Sequence, residues 1–325
     1  MEKTTDMKKS ALKLLLFFGA ISLLGDIVYE GARSVNGAYL NVLGANAVIV
    51  GAMAGIGEFL GYALRLLSGY LSDKTKSYWT FVFIGYGMLL SVPLLSLTGL
   101  WQFAAILIVM ERMGKALRSP AKDTILSHAG KQVGTGFAFG LHEAMDQIGA
   151  FLGPMIFSVV FFFSAKSSAS EYQKAYSFLW IPFALLMICI FSAYLSFPHP
   201  EKWDSSKTQE EKLSKIFWIY SIFSFICTMG FAPFLLMGYH FKETGVLSDA
   251  QIPLFYAIAM AVDAIVALAI GKIYDTLKEK QNNPKAGMNT LIVLPLVSMA
   301  IPVFAFSLSY AMAIVSVVLW GIAMG

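Results

Sequence analysis

Ten apolar segments, each long enough to cross a hydrocarbon layer of about 30 Å as a helix, follow one another along this chain with short polar breaks. They fall near 11–33, 47–71, 79–99, 101–117, 134–163, 175–197, 216–239, 251–273, 288–308 and 309–325. One water-soluble core cannot hold such a succession. Hydrophobic residues make up 57% of the sequence and charged residues 14%, against roughly a quarter charged in a soluble domain. Inside a bilayer the backbone must be bonded within each segment or within a closed barrel. The alternating pattern of barrel strands is absent, so the segments predict helices and the fold class is an all-α membrane protein.

The basic residues set the expected orientation. Lys3, Lys8, Lys9 and Lys13 precede the first segment, and Lys74, Lys76, Arg118, Lys122, Lys131, Lys202, Lys207, Lys212, Lys215, Lys278, Lys280 and Lys285 fall in alternate breaks. The opposite breaks hold Arg33, Lys166, Lys174 and Lys242. This asymmetry predicts a cytoplasmic N-terminus in a cytoplasmic (inner) membrane. The first apolar run is too long for a cleaved signal and no small-residue cleavage site follows it. Cys189 and Cys227 lie within apolar segments, which argues against a disulfide framework. The polar stretch 198–215, "PHPEKWDSSKTQEEKLSK", reads as a cytoplasmic linker. It divides the chain into 1–197, with six helices, and 216–325, with helices 7–10.

Two of the cytoplasmic breaks repeat a punctuation, "GYLSDKTK" at 69–76 and "GKIYDTLK" at 271–278. Each falls between the second and third helix of its part of the chain. Gly69, Asp73, Lys74 and Lys76, and more loosely Gly271, Asp275 and Lys278, resemble the loop signature of the major facilitator superfamily, although the second Gly of that pattern is missing. "GAFLGP", Gly149 to Pro154 with Gly153, is similar to the Gly-x-x-x-Gly-Pro element in helix 5 of facilitator-type antiporters. "ERMGKALRSPAKD", 111–123, resembles the end of helix 4 in bacterial members. The resemblance covers the whole chain and implies a bundle built from two six-helix halves related by a parallel repeat. Ten helices are four in the second half where six are expected, so the sequence reads as the first part of such a protein, stopping within helix 10. The implied activity is secondary active transport by alternating access, with a small-molecule substrate, protons as the expected coupling ion, a monomer in the lipid bilayer, and no cofactor. Gly149 and Gly153 are expected at a close helix contact, with Ala150 on another face and tolerant.

Charge inside a bilayer is costly, so each such residue is a functional candidate. Helices 3, 6 and 9 carry none, as expected of lipid-facing positions. Helix 1 carries Asp26, Glu30 and Arg33; helix 2, Glu58 and Arg65; helix 4, Glu111, Arg112, Lys115 and, at its end, Arg118; helix 5, His142, Glu143 and Asp146; helix 8, Asp263. Counted at ~1.5 Å per residue, Asp26, Glu58, Glu111 and Asp146 share a depth near the midplane. Glu143 and Asp146, at i,i+3, are expected to reinforce each other as a proton site with His142 nearby. Tyr29, Phe59, Phe255 and Tyr256 are candidate apolar walls. Each ion pair read singly (Glu30 with Arg33, Glu111 with Lys115, Glu58 with Arg65) is as well explained by structural neutralisation.

Two functions follow from this pattern. One is proton-coupled export of an organic compound or drug by antiport, which the resemblance of Gly149 to Pro154 to the antiporter element implies; the other is uptake of an organic anion by symport, bound by Arg33, Arg65, Arg112 and Lys115. A membrane protein without transport activity would not need midplane carboxylates. Metal-ligand spacing, a Walker loop and a nucleophile elbow are all missing from the sequence, so no enzyme and no metal site are expected. The basic residues sit where topology alone requires them, which leaves no support for nucleic-acid binding.

Overall fold

The computed structural model describes residues 2–164, 168–200, 215–229, 231–281 and 293–325. Among the described residues all regular structure is helical. The N-terminal group comprises α1 (Glu2–Val42), α2 (Ala47–Thr75), α3 (Tyr78–Gly87), α4 (Ser91–Leu94), α5 (Trp101–Val133), α6 (Thr135–Phe162), α7 (Ala169–Ser177) and α8 (Trp180–Ser196). The C-terminal group comprises α9 (Lys215–Met229), α10 (Phe234–Thr244), α11 (Gln251–Gln281), α12 (Val293–Ala305) and α13 (Tyr310–Met324). Among the described residues six stretches are long and apolar enough to cross a membrane: Met7–Val42, Ala47–Thr75, Tyr78–Leu97, Thr135–Phe162, Ala169–Ser196 and Gln251–Ile270. Apolar side chains lie bare on the outside of the bundle, among them Ile181, Leu185, Ile188, Phe191 and Leu195 on α8 and Leu296, Met299 and Val303 on α12. Water would not tolerate faces of that size, whereas lipid does. The chain is an integral membrane protein.

Three boundaries depart from the sequence reading. Helix 1 was expected to stop at 33 but runs to Val42, because its polar residues are satisfied inside the bundle: Tyr176 donates to Asn36 Oδ1 at 2.7 Å. Gly44, at φ +85°, then ends it in a left-handed turn that Asn46 follows by capping α2 through Ile49 N at 2.9 Å. Helix 4 was expected to exit at 117, yet α5 continues through Pro120 to Val133. Arg118 and Lys122 are therefore helical and enclosed, not loop charges. Arg118 is buried, stacks 4.6 Å from the Tyr86 ring and points at Gly85 O. The seventh span is broken between α9 and α10, where Pro233 offers no N–H and turns the preceding residue away from helix.

α1 is the post around which the bundle packs. Its backbone touches α6 where Gly31 and Gly153 face each other: a Cβ on Gly153 would stand 2.5 Å from Ile27 O and 2.8 Å from Gly31 N. A Cβ on Gly149 would stand 2.5 Å from Leu23 O and 3.0 Å from Asp26 Cβ. Further along, a Cβ on Gly37 would fall 1.9 Å from Leu235 O of α10, so the two helix groups meet backbone to backbone there. Near this end of α1 the groups are also tied by side chains. Asn41 donates to Glu243, Ser158 to Ala250 O at 2.8 Å, and Tyr172 to Asp249 Oδ1 at 2.6 Å, where Lys242 Nζ also sits at 2.6 Å. Ala150, expected on a tolerant face, is 5% exposed and packs in the core; Phe151 and Leu152 are the outward neighbours.

Candidate functional site

A cavity of about 600 Å³ lies between α1, α2 and α5 on one side and α9, α10, α12 and α13 on the other. Arg33, Arg65, Arg112 and Lys115 line it, with Glu58 the carboxylate among the lining residues. Small residues of α2 (Gly51, Ala54, Gly55, Gly57 and Gly61) leave the space, and the α9–α10 break supplies Phe231 and Pro233. A cavity of this size suits a small organic molecule.

Tyr29 organises the cationic wall. Its hydroxyl accepts from Arg112 Nη1 at 2.9 Å, and its ring has Lys115 Nζ at 3.9 Å and the Arg33 and Arg112 guanidinium carbons each at 5.8 Å. Three cations lie around one aromatic ring, a contact that strengthens where water is excluded. Glu58 pairs with Arg112 at 3.1 Å rather than with Arg65, whose Nη2 reaches Ser119 Oγ at 3.5 Å. Glu111, 4% exposed, approaches Arg112 at 3.9 Å, and its Oε1 has no hydrogen-bond partner among the described residues. Glu30 faces Arg33 at 3.7 Å and Lys115 at 3.8 Å, and accepts from Tyr256 of α11.

A second cluster sits between α1, α5 and α6. Asp26 lies within electrostatic reach of Asp146, Lys122, Lys115 and Glu30. His142 Nε2 is 3.4 Å from Asp146 Oδ2 and 2.7 Å from Lys122 Nζ, and Ser22 Oγ is 3.0 Å from His142 Nδ1. Asp146 Oδ1 is buried and has no hydrogen-bond partner among the described residues.

The four carboxylates expected at one level thus divide into two sets. Asp26 and Asp146 belong to the second cluster; Glu58 and Glu111 share Arg112 in the first. Glu143 does not join Asp146, because three residues leave it about 60° further round the helix and turn it outward: it is exposed and takes a hydrogen bond from Gln147 at 3.1 Å. Gln147 also reaches Asp263 Oδ2 at 3.4 Å, which puts Asp263 beside α6. Glu111 does not pair with Lys115 as its i,i+4 spacing suggested. Of the candidate walls, Tyr29 lines the cavity, Tyr256 is a polar partner of Glu30, Phe255 packs on Tyr310 at 5.8 Å, and Phe59 points outward at 70% exposure. Lys122 was missed as a site residue, because Pro120 reads locally as a helix end; Tyr256 was expected only as an apolar wall, and nothing local marks its hydroxyl as a partner of Glu30.

The signature residues hold the end of α2. Asp73 and Lys74 are exposed, a Cβ on Gly69 would rest 3.6 Å from Pro120 Cβ, and Lys76 closes the helix in a left-handed conformation at φ +53°. Gly271 and Asp275 fall on α11, and their side chains, like the linker residues 201–214, lie outside the described residues.

Comparison with known proteins matches the Major Facilitator Superfamily over residues 14–325. The chain belongs to that family. An uncharacterized protein of Mycobacterium tuberculosis (strain ATCC 25618 / H37Rv) is 37% identical over 97% of this chain and 76% of its own length. An uncharacterized MFS-type transporter of Methanocaldococcus jannaschii is 32% identical over 47% of this chain and 38% of its own. Among solved structures, a bacterial homolog of the human lysosomal transporter Spinster superposes with a TM-score of 0.67 at 15% identity, covering 97% of this chain and 73% of that one. The nucleoside transporter NupG superposes at 0.66 and 15% identity, covering 96% and 79%. These two share the fold. The protein is a membrane transporter of the facilitator family, with transmembrane helices enclosing a charged central cavity.

Proposed function

We propose that this facilitator carries a small organic anion through the cavity and couples its movement to protons. The observation that supports this reading is the cavity wall: four cations against one lining carboxylate. Guanidinium groups bind carboxylate or phosphate in fixed geometry, and the partly buried cations Arg33 and Arg112 are costly to leave unbalanced until an anion fills the site. A neutral or cationic drug would leave that imbalance in place, so of the two expected functions the organic anion fits better. The coupling proton resides on Asp26 and Asp146, two carboxylates that share the single ammonium of Lys122.

We place the protein as a monomer in the cytoplasmic membrane, N-terminus inside, on the lysine and arginine asymmetry. Its two helix groups are taken as 1–197 and 216–325, with 198–215 joining them. Single cysteines at Ser77 and Ser206 are expected to react with an impermeant thiol reagent from the cytoplasmic face alone.

Uptake into proteoliposomes under an imposed pH gradient tests the function, with mono- and dicarboxylates, phosphate esters, neutral solutes and organic cations as the panel. Anion flux that follows the pH gradient supports the reading, and its sign gives symport or antiport. Flux of cations or neutral solutes with no anion flux overturns it.

A further inference from the structure

Arg33 and Lys115 face two ways. Both line the cavity, and both also look back at Glu30, which is set behind them and is 6% exposed. The two contacts, 3.7 and 3.8 Å, converge on the same oxygen, Oε1, while Oε2 takes the Tyr256 hydroxyl. Both are too long for charge-assisted hydrogen bonds, which form near 2.7–2.9 Å. By contrast, Glu58 holds Arg112 at 3.1 Å. Glu30 is thus a loosely held counter-ion for two of the four cavity cations, while Tyr256 anchors its other oxygen to the C-terminal helix group.

We infer that Glu30 is a resident substitute for the substrate's anionic group: a bound carboxylate or phosphate takes Arg33 and Lys115 from it, and its release ties substrate binding to proton binding. The inference rests on the anion reading of the cavity. The charged and titratable groups facing Glu30 are Asp26 and Arg33 on α1, Lys115 on α5, and Tyr256 and Asp263 on α11. Once the substrate holds both cations, Glu30 keeps the Tyr256 hydroxyl as its donor and has the carboxylates Asp26 and Asp263 as neighbours, Asp26 with Lys122 in reach and Asp263 with Gln147. An uncompensated carboxylate away from water is unstable and neutralises instead. Asp26 stands one helical turn from Glu30 and within reach of Asp146. The set Glu30, Asp26 and Asp146 therefore binds a proton from bulk water as the anion enters, a carboxylate becoming a carboxylic acid with no other bond changed. By linkage, the proton favours the anion as much as the anion favours the proton.

The test uses the purified full chain in detergent, with succinate and inorganic phosphate as probes. Thermal stabilisation against probe concentration gives affinity, and a pH indicator in weakly buffered solution gives protons bound. Glu30→Gln removes the competing charge but keeps an acceptor for Tyr256. It is expected to bind the probes about tenfold more tightly, ~1.4 kcal/mol, and to lose the proton uptake that accompanies binding. Tyr256→Phe takes away the donor that steadies released Glu30, and is expected to bind several-fold more weakly. Opposite signs are the signature, because residues that merely support the fold would weaken binding in both variants. If both variants weaken, or if Glu30→Gln binds with the affinity and proton uptake of the parent, the inference is overturned while the anion reading stands. If neither probe nor any carboxylate or phosphate ester stabilises the parent or Glu30→Gln, the anion reading falls and this inference with it. Should Glu30→Gln fail to fold, Tyr256→Phe decides: tighter or unchanged binding overturns the inference.

Discussion

The two charged clusters beside α1 carry opposite imbalances. Around the cavity, Arg33, Arg65, Arg112 and Lys115 outnumber Glu30, Glu58 and Glu111, and the excess is positive. Between α1 and α6, Asp26 and Asp146 share Lys122, with His142 beside Asp146, and with the imidazole neutral the excess is negative. The same helix carries both at successive turns. On the proposed function each cluster completes itself with a small ion from outside, an anion in the first and a proton in the second, which offsets the cost of holding unbalanced charge there. Placing the two imbalances a helical turn apart makes filling one bear on filling the other.

Pushing α1 off α6 breaks this arrangement most completely. Gly153→Leu would drive a side chain into Ile27 O, where a Cβ already stands at 2.5 Å. Overpacking typically costs 1–3 kcal/mol, and a clash with backbone belongs at about 3 kcal/mol or above. Folded yield and thermal midpoint in detergent are expected to collapse, while Phe151→Leu, at a 40% exposed position, changes them little. Equal tolerance of both would mean that the α1–α6 contact is not what holds the clusters in register.

Removing the negative excess is the next largest effect. Asp146→Asn keeps the shape and hydrogen-bonding capacity beside His142 but fixes the cluster in its charge-balanced state. Transport driven by a pH gradient is expected to fall about 100-fold, ~2.7 kcal/mol, while exchange of substrate for substrate continues. If Asp146→Asn and Asp26→Asn both retain gradient-driven transport, the proton is carried elsewhere.

Arg112→Gln addresses the positive cluster. It leaves Glu58 and Glu111 without their shared partner and takes one cation from the wall. Apparent affinity for an anionic substrate is expected to weaken about tenfold, ~1.4 kcal/mol, with the pH dependence of transport kept. Lost pH dependence with unaltered affinity would reverse the roles assigned to the two clusters. The smallest change comes from Ser22→Ala, which deletes one hydrogen bond to His142 at 3.0 Å. A shift of about 1 kcal/mol in stability is expected, visible as a few degrees in thermal midpoint and with no change in transport direction.

Much of the fold was legible because hydrocarbon imposes a simple rule. Apolar runs of a given length must be helices, but lack of charge did not mark the lipid face: α12, expected there, lines the cavity with Leu294 and Ser298. Gly149 and Gly153 were legible for a similar reason, since small residues four apart let helices touch. The misjudged boundaries were places where the rule is local and its exception is not. Arg118 and Lys122 looked like loop charges because their neighbours along the chain could not reveal Gly85 O, the Tyr86 ring or His142. The extension of helix 1 past Arg33 depends in the same way on Tyr176, 140 residues from Asn36.

The candidate site divides along the same line. By itself the sequence determined which helices carry charge and in what order along each helix, because both follow from composition and a fixed rise per residue. Only the tertiary structure decided which charges meet. Depth orders residues along the bilayer normal but says nothing of the angle around it. The packing of α1 against α5, α6 and α11 therefore separates Glu143 from Asp146, gives Arg112 to Glu58, and sets Glu30 between Arg33, Lys115 and Tyr256.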